Sequence, residues 1–528
     1  MAASPSTLTA LPAAAPSAGK WLITASIMCG TVLSVMDVSI VNVAMPHMMG
    51  SFGQDLLTIT WVSTAYSIAE MIMITMTAWW SALLGRKRLF VGSMILFTVG
   101  SAMAGTAQNF HQMLFWRVVQ GAGGGSLIPS SQAILRETFP PTEQGMAMAI
   151  YAMGVMLAPA FGPVAGGWLV DHYGWRWIFY INIPICLVGI LMTSAFVRDP
   201  VYLKRGLLRV DWAGIGLLTA GLTAMQIVLE RGQDVDWFAS NWIVLGTIVA
   251  VFGLGGLLVW EFYAEEPVVD FRLFRNLQLS VGSAMGALLG FVLYGSTFII
   301  PQLTQDLLGY TAYAAGMVLM PRAATMFLLM PLMGAIYNHV NLRVNTFVGL
   351  AVLAIGQWQL CHLSLEAGYW TFLVPLLLLG GGLGSTMVPL STISLSTVPR
   401  PRMTAAAGLY TLTRRVAGNL AYAVIATIVA RRTQFHHSRL VHSVNGAAPI
   451  FRQAQAGIQA RMFQFGYSRP DAHHSALALI GNSLNRHATM MAYNDANWVS
   501  MMMAIAVLPL ILLLPKRAPM VAVGEGAH

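Results

Sequence analysis

Charged side chains are scarce in this sequence of 528 residues. Asp, Glu, Lys and Arg together make up 9% of it, whereas hydrophobic residues make up 56%. Soluble domains contain about 25% charged residues, so this chain has too few polar groups to cover a soluble surface. Uncharged apolar runs of about 20 residues, long enough to cross a bilayer as helices, recur throughout. The composition therefore predicts an all-α polytopic membrane protein.

Cysteine is also scarce, and several chemical motifs are missing. The three cysteines, Cys29, Cys186 and Cys361, all lie in apolar runs, which excludes a disulfide framework. The G-x-x-x-x-G-K-[ST] phosphate loop is absent, so this motif cannot supply ATP-driven transport. The glycine clusters do not complete G-x-G-x-x-G, and no catalytic constellation stands out. We therefore predict no enzymatic activity, no cofactor and no metal site.

The apolar runs divide the chain into membrane spans. Residues 1–20 carry no basic front of a signal peptide, so we interpret them as a tail before a retained first span. Breaks at charged, proline or glycine clusters give fourteen predicted spans. Their limits are 21–45, 58–82, 89–108, 112–135, 145–170, 177–197, 211–229, 239–260, 278–303, 313–336, 344–364, 370–396, 405–430 and 493–515.

The lysines and arginines predict the orientation of these spans. Most of those in loops fall on one side, together with the tails 1–20 and 516–528, whereas the short loops opposite hold only Arg176 and Arg231. Because cytoplasmic loops carry the positive excess, both termini are predicted to be cytoplasmic. The net charge of +9 then needs no nucleic-acid partner, since anionic membrane lipid faces part of it.

One predicted outer loop, residues 432–492, is far longer than a hairpin needs. It is basic and rich in histidine. Histidines can bind metal, but the pairs at 436–437 and 473–474 lack tight ligand spacing. We favour a periplasmic extension, solvated or in contact with a partner, over a metal site.

Ionisable residues inside predicted spans are costly and mark candidate functional sites. Asp37 in the first span and Arg117 in the fourth lie at similar predicted depth in the outer half of the membrane. An ion pair between them could simply pin two helices together. Alternatively, burial and Arg117 could set the pKa of Asp37 so that it exchanges a proton. The residues alone leave both interpretations open.

Other ionisable residues fall within spans two, ten and thirteen. Glu70 lies near the middle of the second span with no obvious partner, so we expect it to be protonated near neutral pH, as a proton site requires. A helix-pinning role is the alternative. Arg322, Arg414 and Arg415 are the corresponding basic residues in spans ten and thirteen.

The fifth span, "GVMLAPAFGPVAGG", contains small residues at every fourth position. Gly154, Ala158, Gly162 and Gly166 predict a flat helix face for close packing. Pro159 and Pro163 each remove a backbone donor and are expected to bend the helix. A generic tight helix crossing is the simpler interpretation, but the interleaved prolines make the pattern more specific.

Several of these segments resemble the fourteen-helix drug:proton antiporters of the major facilitator superfamily, in particular the EmrB-type branch. The likeness covers nearly the whole chain and includes "MDVSIVNVAMP", "RVVQGAGGG" with "IPSSQAIL", the fifth-span pattern, "WRWIFYINIP", "QIVLERGQDVDWF" and "PVVDFRLF". The resemblance assigns motif roles to residues in spans one, four, five and thirteen. These are Asn42, Pro46, Arg117, Gln120, Gly121, Gly123, Gly154, Pro159, Gly162, Pro163, Gly166, Gly167 and Arg414.

The loop between spans two and three departs from the superfamily pattern G-x-L-x-D-R-x-G-R-[KR]. Here the stretch reads "AWWSALLGRKR", in which Ala82 replaces the acid and Leu83 the following arginine. Only Gly85, Arg86 and Lys87 remain. The latch that the family builds on the missing acid cannot operate in its usual form.

The resemblance implies a major facilitator fold. Two six-helix bundles, 21–197 and 278–515, would flank two inserted helices at 211–260 and rock about a substrate site near the membrane midplane. The implied function is proton-driven efflux of hydrophobic or amphipathic drugs across the bacterial inner membrane, with Asp37, Glu70 and Arg117 in proton coupling. The implied partners are an EmrA-type periplasmic adaptor and an outer-membrane channel. A proton-coupled transporter of one metabolite or fatty acid is the alternative.

Overall fold

A computed structural model describes residues 17–140, 142–199, 211–265, 267–336, 339–443 and 449–515. These residues form helices and connecting turns, with no strand among them. Residues 1–16 of the predicted tail 1–20, the predicted tail 516–528, and most of the connection between spans six and seven lie outside the described residues. Residues 17–20 of the predicted tail belong to the first helix.

Fifteen main helices, α1–α15, follow one another along the described chain. The first eight are α1 (Ser17–Phe52), α2 (Trp61–Leu84), α3 (Arg86–Thr106), α4 (Phe110–Gly125, continued by Leu127–Thr138), α5 (Gln144–Tyr173), α6 (Asn182–Phe196), α7 (Trp212–Arg231) and α8 (Asn241–Tyr263). The others are α9 (Leu277–Gln302), α10 (Ala312–Ile336), α11 (Leu342–Leu360), α12 (Tyr369–Ser394), α13 (Met403–Ser443), α14 (Pro449–Gln464) and α15 (Arg469–Ala506).

Each of the fourteen predicted spans falls on one of these helices, the last of them on α15. Ten described helices are long and apolar enough to cross a membrane, and eleven are if the two parts of α5 count as one span. Of the remaining predicted spans, α4 is interrupted at Ser126, while α11 and α13 carry polar residues along their length. The all-helical membrane class is confirmed, and the count of fourteen spans remains a prediction.

The helices pack into two groups. Helices α1–α6 contact one another, as do α9–α13 with α15. The pair α7 and α8 packs together, and α7 also lies against α2 and α13, at the seam between the groups. Helix α8 is largely uncovered, with Phe252 73% exposed. Such an apolar surface fits a helix that faces lipid.

Contacts between loops define one end of the bundle, which we call the basic end. There the Lys87 backbone N–H donates to Asp199 Oδ1 over 2.8 Å, and Arg343 Nε donates to the Leu514 carbonyl over 2.6 Å. Arg402 lies 3.7 Å from Asp270. The opposite end, from which α13–α15 project, is called the extension end. Basic side chains thus gather where the sequence predicts cytoplasmic loops.

The two groups are joined directly near the basic end. Arg86 Nη2 donates to the Arg400 carbonyl over 2.9 Å, and Arg136 Nη2 donates to the Ser391 carbonyl over 3.3 Å. Gly334 of α10 packs so closely on α5 that an added Cβ would lie 2.5 Å from Ala149 Cβ. Further along the bundle, α7 and the turn after it contact both groups, since Arg231 Nη2 donates to Thr60 Oγ1 over 2.6 Å and Trp237 Nε1 donates to Thr427 Oγ1 over 3.1 Å.

The predicted outer loop 432–492 is helical over most of its described length. Helix α13 continues to Ser443, and α15 begins at Arg469, so the helices flanking this segment extend well beyond the predicted spans. Asp495 joins their bases, since it contacts Arg432 and lies 2.8 Å from His436 Nε2. These ion pairs and the packing of the helices support the extension. Its helices could not be delimited from apolar composition, since that pattern marks only the part of a helix that lies in the membrane.

The small-residue face of α5 packs against α1. A Cβ added to Gly162 would lie 2.0 Å from Ser39 Oγ, and one added to Gly166 would lie 2.6 Å from Ile40 Cγ1. Gly154 faces Met28 in the same way. The helix bends by 44° near Pro159, which lacks a backbone donor. By contrast, a Cβ at Gly167 would meet nothing within 4 Å.

Gly162→Leu is expected to force α1 and α5 apart and to lower the free energy of unfolding by about 1–3 kcal/mol, as overpacking does. Gly167→Leu is the matched control, because that position has room for a side chain. Thermal unfolding of the purified proteins in detergent measures the difference. Equal melting temperatures for the two variants would contradict the close α1–α5 contact.

Candidate functional site

A glycine run in α4 brings this helix against α2 and α3. A Cβ at Gly121 would lie 2.3 Å from the Tyr66 carbonyl oxygen, and one at Gly123 would lie 2.3 Å from the Phe97 backbone nitrogen. Gly125 approaches the Glu70 carbonyl equally closely. Glycine lets helix backbones approach in this way. The run therefore holds Gln120, which directly precedes it, and Arg117, one turn earlier, between neighbouring helices.

Asp37 lies at the centre of a buried polar cluster. Arg117 Nη1 donates to Asp37 Oδ2 over 2.5 Å, and Gln120 Nε2 donates to Asp37 Oδ1 over 2.8 Å. The Asp37 and Arg117 side chains are both 0% exposed. The structure therefore pairs the two residues that the depth estimate placed together. Charge-assisted hydrogen bonds of this kind offset the desolvation of both ions.

Arg117 also binds groups other than Asp37. Its Nε donates to the Val62 carbonyl over 3.0 Å, and Nη1 lies 2.7 Å from Gln120 Oε1. The guanidinium stacks over the Tyr66 ring, 4.4 Å from its centroid. Arg117 consequently keeps several electron-rich neighbours whether or not Asp37 is charged.

Further polar residues surround the pair on the remaining sides. Asn182 Nδ2 lies 3.5 Å from Asp37 Oδ1 and donates to Ser101 Oγ over 2.9 Å. Tyr66 donates to the Ser34 carbonyl over 3.1 Å. Closer to the extension end, the exposed Asn42 accepts a hydrogen bond from Ser63, and Pro46 lies inside α1. Asn182 lies in the segment "WRWIFYINIP" but was not among the predicted site residues.

Glu70 has a partner, contrary to the expectation from the sequence. Its carboxylate forms an ion pair with Arg415 of α13. The side chain of Glu70 is 1% exposed and that of Arg415 is 18% exposed. The two residues are 345 positions apart in the chain. Sequence patterns within a single span could therefore not predict that they pair. This ion pair connects the α1–α6 group to the α9–α15 group in the interior of the bundle.

The neighbouring arginines of the second group have different surroundings. Arg322 donates to Ser296 Oγ over 2.9 Å and to Thr297 Oγ1 over 3.1 Å. Arg414, which the family motif singles out, packs at Gly290 of α9. Of the two adjacent arginines in α13, it is Arg415 that pairs with Glu70.

The remnant of the loop between α2 and α3 forms contacts of its own. Gly85 ends α2 with φ +87°, a conformation that favours glycine. Arg86 forms an ion pair with Glu137 at the end of α4 and donates across the seam to Arg400. Lys87 Nζ donates to the Ser194 carbonyl over 2.6 Å. Glu137 thus provides a carboxylate beside Arg86 where the loop itself lacks one.

Metal-ligating side chains do not gather in the part of the chain that the structure describes. No group of three or more His, Cys, Asp or Glu residues there could hold a metal ion. In the extension, His473 Nδ1 instead lies 2.9 Å from Gln459 Nε2.

Comparison with known proteins identifies the family of this chain. The family model described as "Major Facilitator Superfamily" matches residues 27–422. The chain belongs to the major facilitator superfamily. It is a multi-pass membrane transporter, and the predicted fold class is confirmed.

Two curated relatives match nearly the whole length. The chain is 31% identical over 508 residues to the multidrug export protein EmrB of Escherichia coli, covering 96% of this chain and 98% of that protein. It is 29% identical over 515 residues to the fatty acid resistance protein FarB of Neisseria gonorrhoeae, covering 96% and 97%. The predicted EmrB-type resemblance is confirmed.

A solved structure supports the fold alone. The human organic anion transporter MFSD10 matches with a TM-score of 0.61 and 12% sequence identity, covering 93% of this chain and 100% of that one. The chain traces therefore agree across the whole bundle despite little sequence identity.

Glu70→Gln should leave Arg415 buried without its counter-ion and lower the free energy of unfolding by about 3–5 kcal/mol. Arg415→Gln should destabilise the protein in the same way. The double variant should lose about 0.5–3 kcal/mol less than the sum of the single losses, because the two residues interact directly. Thermal unfolding in detergent measures this cycle.

Arg414→Gln is the matched control, because Arg414 adjoins Arg415 on the same helix but has no carboxylate partner among the described residues. Strictly additive losses for Glu70→Gln and Arg415→Gln would show that the pair does not couple the two helix groups.

Proposed function

We propose that this transporter exports hydrophobic and amphipathic compounds across the bacterial inner membrane in exchange for protons. The observation that carries the proposal is the buried Asp37–Arg117–Gln120 cluster in the first helix group. An isolated carboxylate would be expensive at this position. Its surroundings allow it to exist both as an ion paired with Arg117 and as a neutral acid.

The hydrogen bonds around Asp37 support the proposed exchange of a proton at this residue. In the charged form, Asp37 accepts from Arg117 and Gln120. In the protonated form, Arg117 retains the Val62 carbonyl and Gln120 Oε1 as acceptors. Neutralising Asp37 therefore does not leave a cation without hydrogen-bond partners. A substrate that binds better to one conformation shifts the balance between the two forms.

Alternating access would use the contacts between the two helix groups. Arg86 and Arg136 hold the two groups together near the basic end. With the basic end in the cytoplasm, as the lysine and arginine distribution predicts, breaking these contacts would let the cytoplasmic side open while the two helix groups rotate against each other.

We further propose that the extension contacts a periplasmic adaptor of the EmrA type, which in turn leads to an outer-membrane channel. Helices α13–α15 project beyond the predicted spans and present exposed aromatic side chains, among them Phe465, which is 78% exposed. Both EmrB and FarB, which are named for export and resistance, match the chain across this region. The similarity to FarB, which is named for fatty acid resistance, supports a second candidate function, the transport of fatty acids.

Asp37→Asn keeps the size and hydrogen bonding of the side chain but removes its titration. In proteoliposomes with an imposed pH gradient, we expect this variant to lose gradient-driven transport. The compounds tested are dyes, uncouplers and fatty acids. Binding of the same compounds in detergent should persist. Asp171→Asn, at an exposed position, is the control. Gradient-driven transport at the normal rate by Asp37→Asn would reduce Asp37 to a helix pin.

Replacement of residues 444–485 by a short Gly-Ser linker tests the partner role of the extension. The ion pairs of Asp495 at its base would remain, so membrane insertion and gradient-driven transport in proteoliposomes should be unchanged. Efflux from cells with an intact envelope should fall. Unchanged efflux from such cells would rule out a necessary contact with an adaptor.

A further inference from the structure

The second helix group carries more positive than negative charge in its interior. Arg322, Arg414 and Arg415 all contact α9 between Gly290 and Thr297 or lie beside that segment, a rise of about 10 Å. Glu70 neutralises one of them, Arg415. In the first group, by contrast, Asp37 balances Arg117.

Arg322 illustrates the imbalance most clearly. Among the described residues, its hydrogen-bond partners are the neutral hydroxyls of Ser296 and Thr297, and no carboxylate pairs with it. Hydroxyls orient a guanidinium but do not cancel its charge. A cationic side chain within a span is unfavourable by about 2.5–3.5 kcal/mol, so the site favours any ligand that brings a negative charge.

Aromatic side chains complete the surroundings of these arginines. The ring of Tyr422 lies beside that of Tyr294, with centroids 6.1 Å apart. Arg415 Nη1 lies 3.4 Å from the Tyr294 hydroxyl. Phe298 packs against Tyr422 with centroids 5.5 Å apart. Guanidinium and phenol donors thus stand beside an apolar ring surface.

Arg322 is also partly exposed, as are Tyr294, Phe298 and Tyr422. Each of these side chains therefore keeps some accessible surface for a ligand. The combination of cationic donors and aromatic surface matches a molecule with an anionic head and an apolar body. Guanidinium groups bind carboxylates through parallel, charge-assisted hydrogen bonds.

We propose that Arg322, with Tyr422 and the neighbouring arginines, forms a subsite for the anionic head group of amphipathic carboxylates. The proposal rests on the proposed export function and names a substrate class for it. The hydroxyls of Ser296 and Thr297 hold Arg322 in place in the absence of ligand. Phe298 and the adjoining apolar side chains contact the hydrocarbon part.

The test compares three probes of equal chain length: decanoate, decanol and decyltrimethylammonium. Binding to the full-length protein in nanodiscs of zwitterionic lipid is measured by microscale thermophoresis. We expect the wild type to bind decanoate most tightly. Arg322→Gln should weaken decanoate binding by about tenfold or more, since charge-assisted hydrogen bonds are lost, and leave decanol binding unchanged. Arg322→Lys should retain part of the preference.

Arg88→Gln, at an exposed position of the basic end, is the control and should bind all three probes as the wild type does. Equal binding of decanoate and decanol by the wild type, or equal losses for both in Arg322→Gln, would overturn the subsite. Nanodiscs containing phosphatidylglycerol form a further arm: if that lipid displaces decanoate completely, the site binds a lipid head group instead.

Transport in proteoliposomes separates this proposal from the export function. Gradient-driven movement of decyltrimethylammonium or decanol without any preference for decanoate would overturn the subsite and leave export intact. Selective binding of decanoate without gradient-driven movement of any probe would overturn export and leave the subsite.

Discussion

The free-energy cost of placing an ion in a low-dielectric interior governs the architecture of this protein. Asp37 and Glu70 lie in the bundle interior, and each is paired with an arginine from another helix. A carboxylate alone would lose its charge by protonation, and an arginine alone would have no such route, since it stays protonated. The positions of these ions therefore dictate which helices must remain together and which contacts can change during transport.

The two ion pairs hold together different parts of the molecule. The Asp37–Arg117 pair lies within the first helix group and is enclosed by Gln120 and Asn182. The Glu70–Arg415 pair connects the two groups, so it is subject to their relative motion. The proposed proton exchange at Asp37 would change hydrogen bonds within one group, whereas breaking the Glu70 contact would separate the two groups. The proposed function therefore assigns proton exchange and helix-group motion to different ion pairs.

Sequence patterns were sufficient to predict the helical membrane class, the approximate helix positions and the Asp37–Arg117 pair. The pair could be predicted because the depth of each residue follows from the helical rise and from the predicted outer end of its span. Glu70 was misjudged because its partner belongs to the other helix group, and no local pattern reports which groups face one another. Residues 432–492 were predicted as a long outer loop with room for short helices, whereas the flanking helices in fact continue to Ser443 and from Arg469. Hydropathy could not show this, because it locates membrane crossings and not helices that continue into water. Glu137 was not predicted as a site residue because a carboxylate at a helix end is common. Only the folded structure shows that it pairs with Arg86.

Infrared spectroscopy of the carboxyl C=O stretch, recorded as pH is varied across neutrality, tests most directly whether Asp37 exchanges a proton. The account predicts that the intensity of a carboxyl C=O band changes with pH in the wild type and in Glu70→Gln, and that this change is absent from Asp37→Asn. A band of unchanged intensity and titration in Asp37→Asn would contradict it.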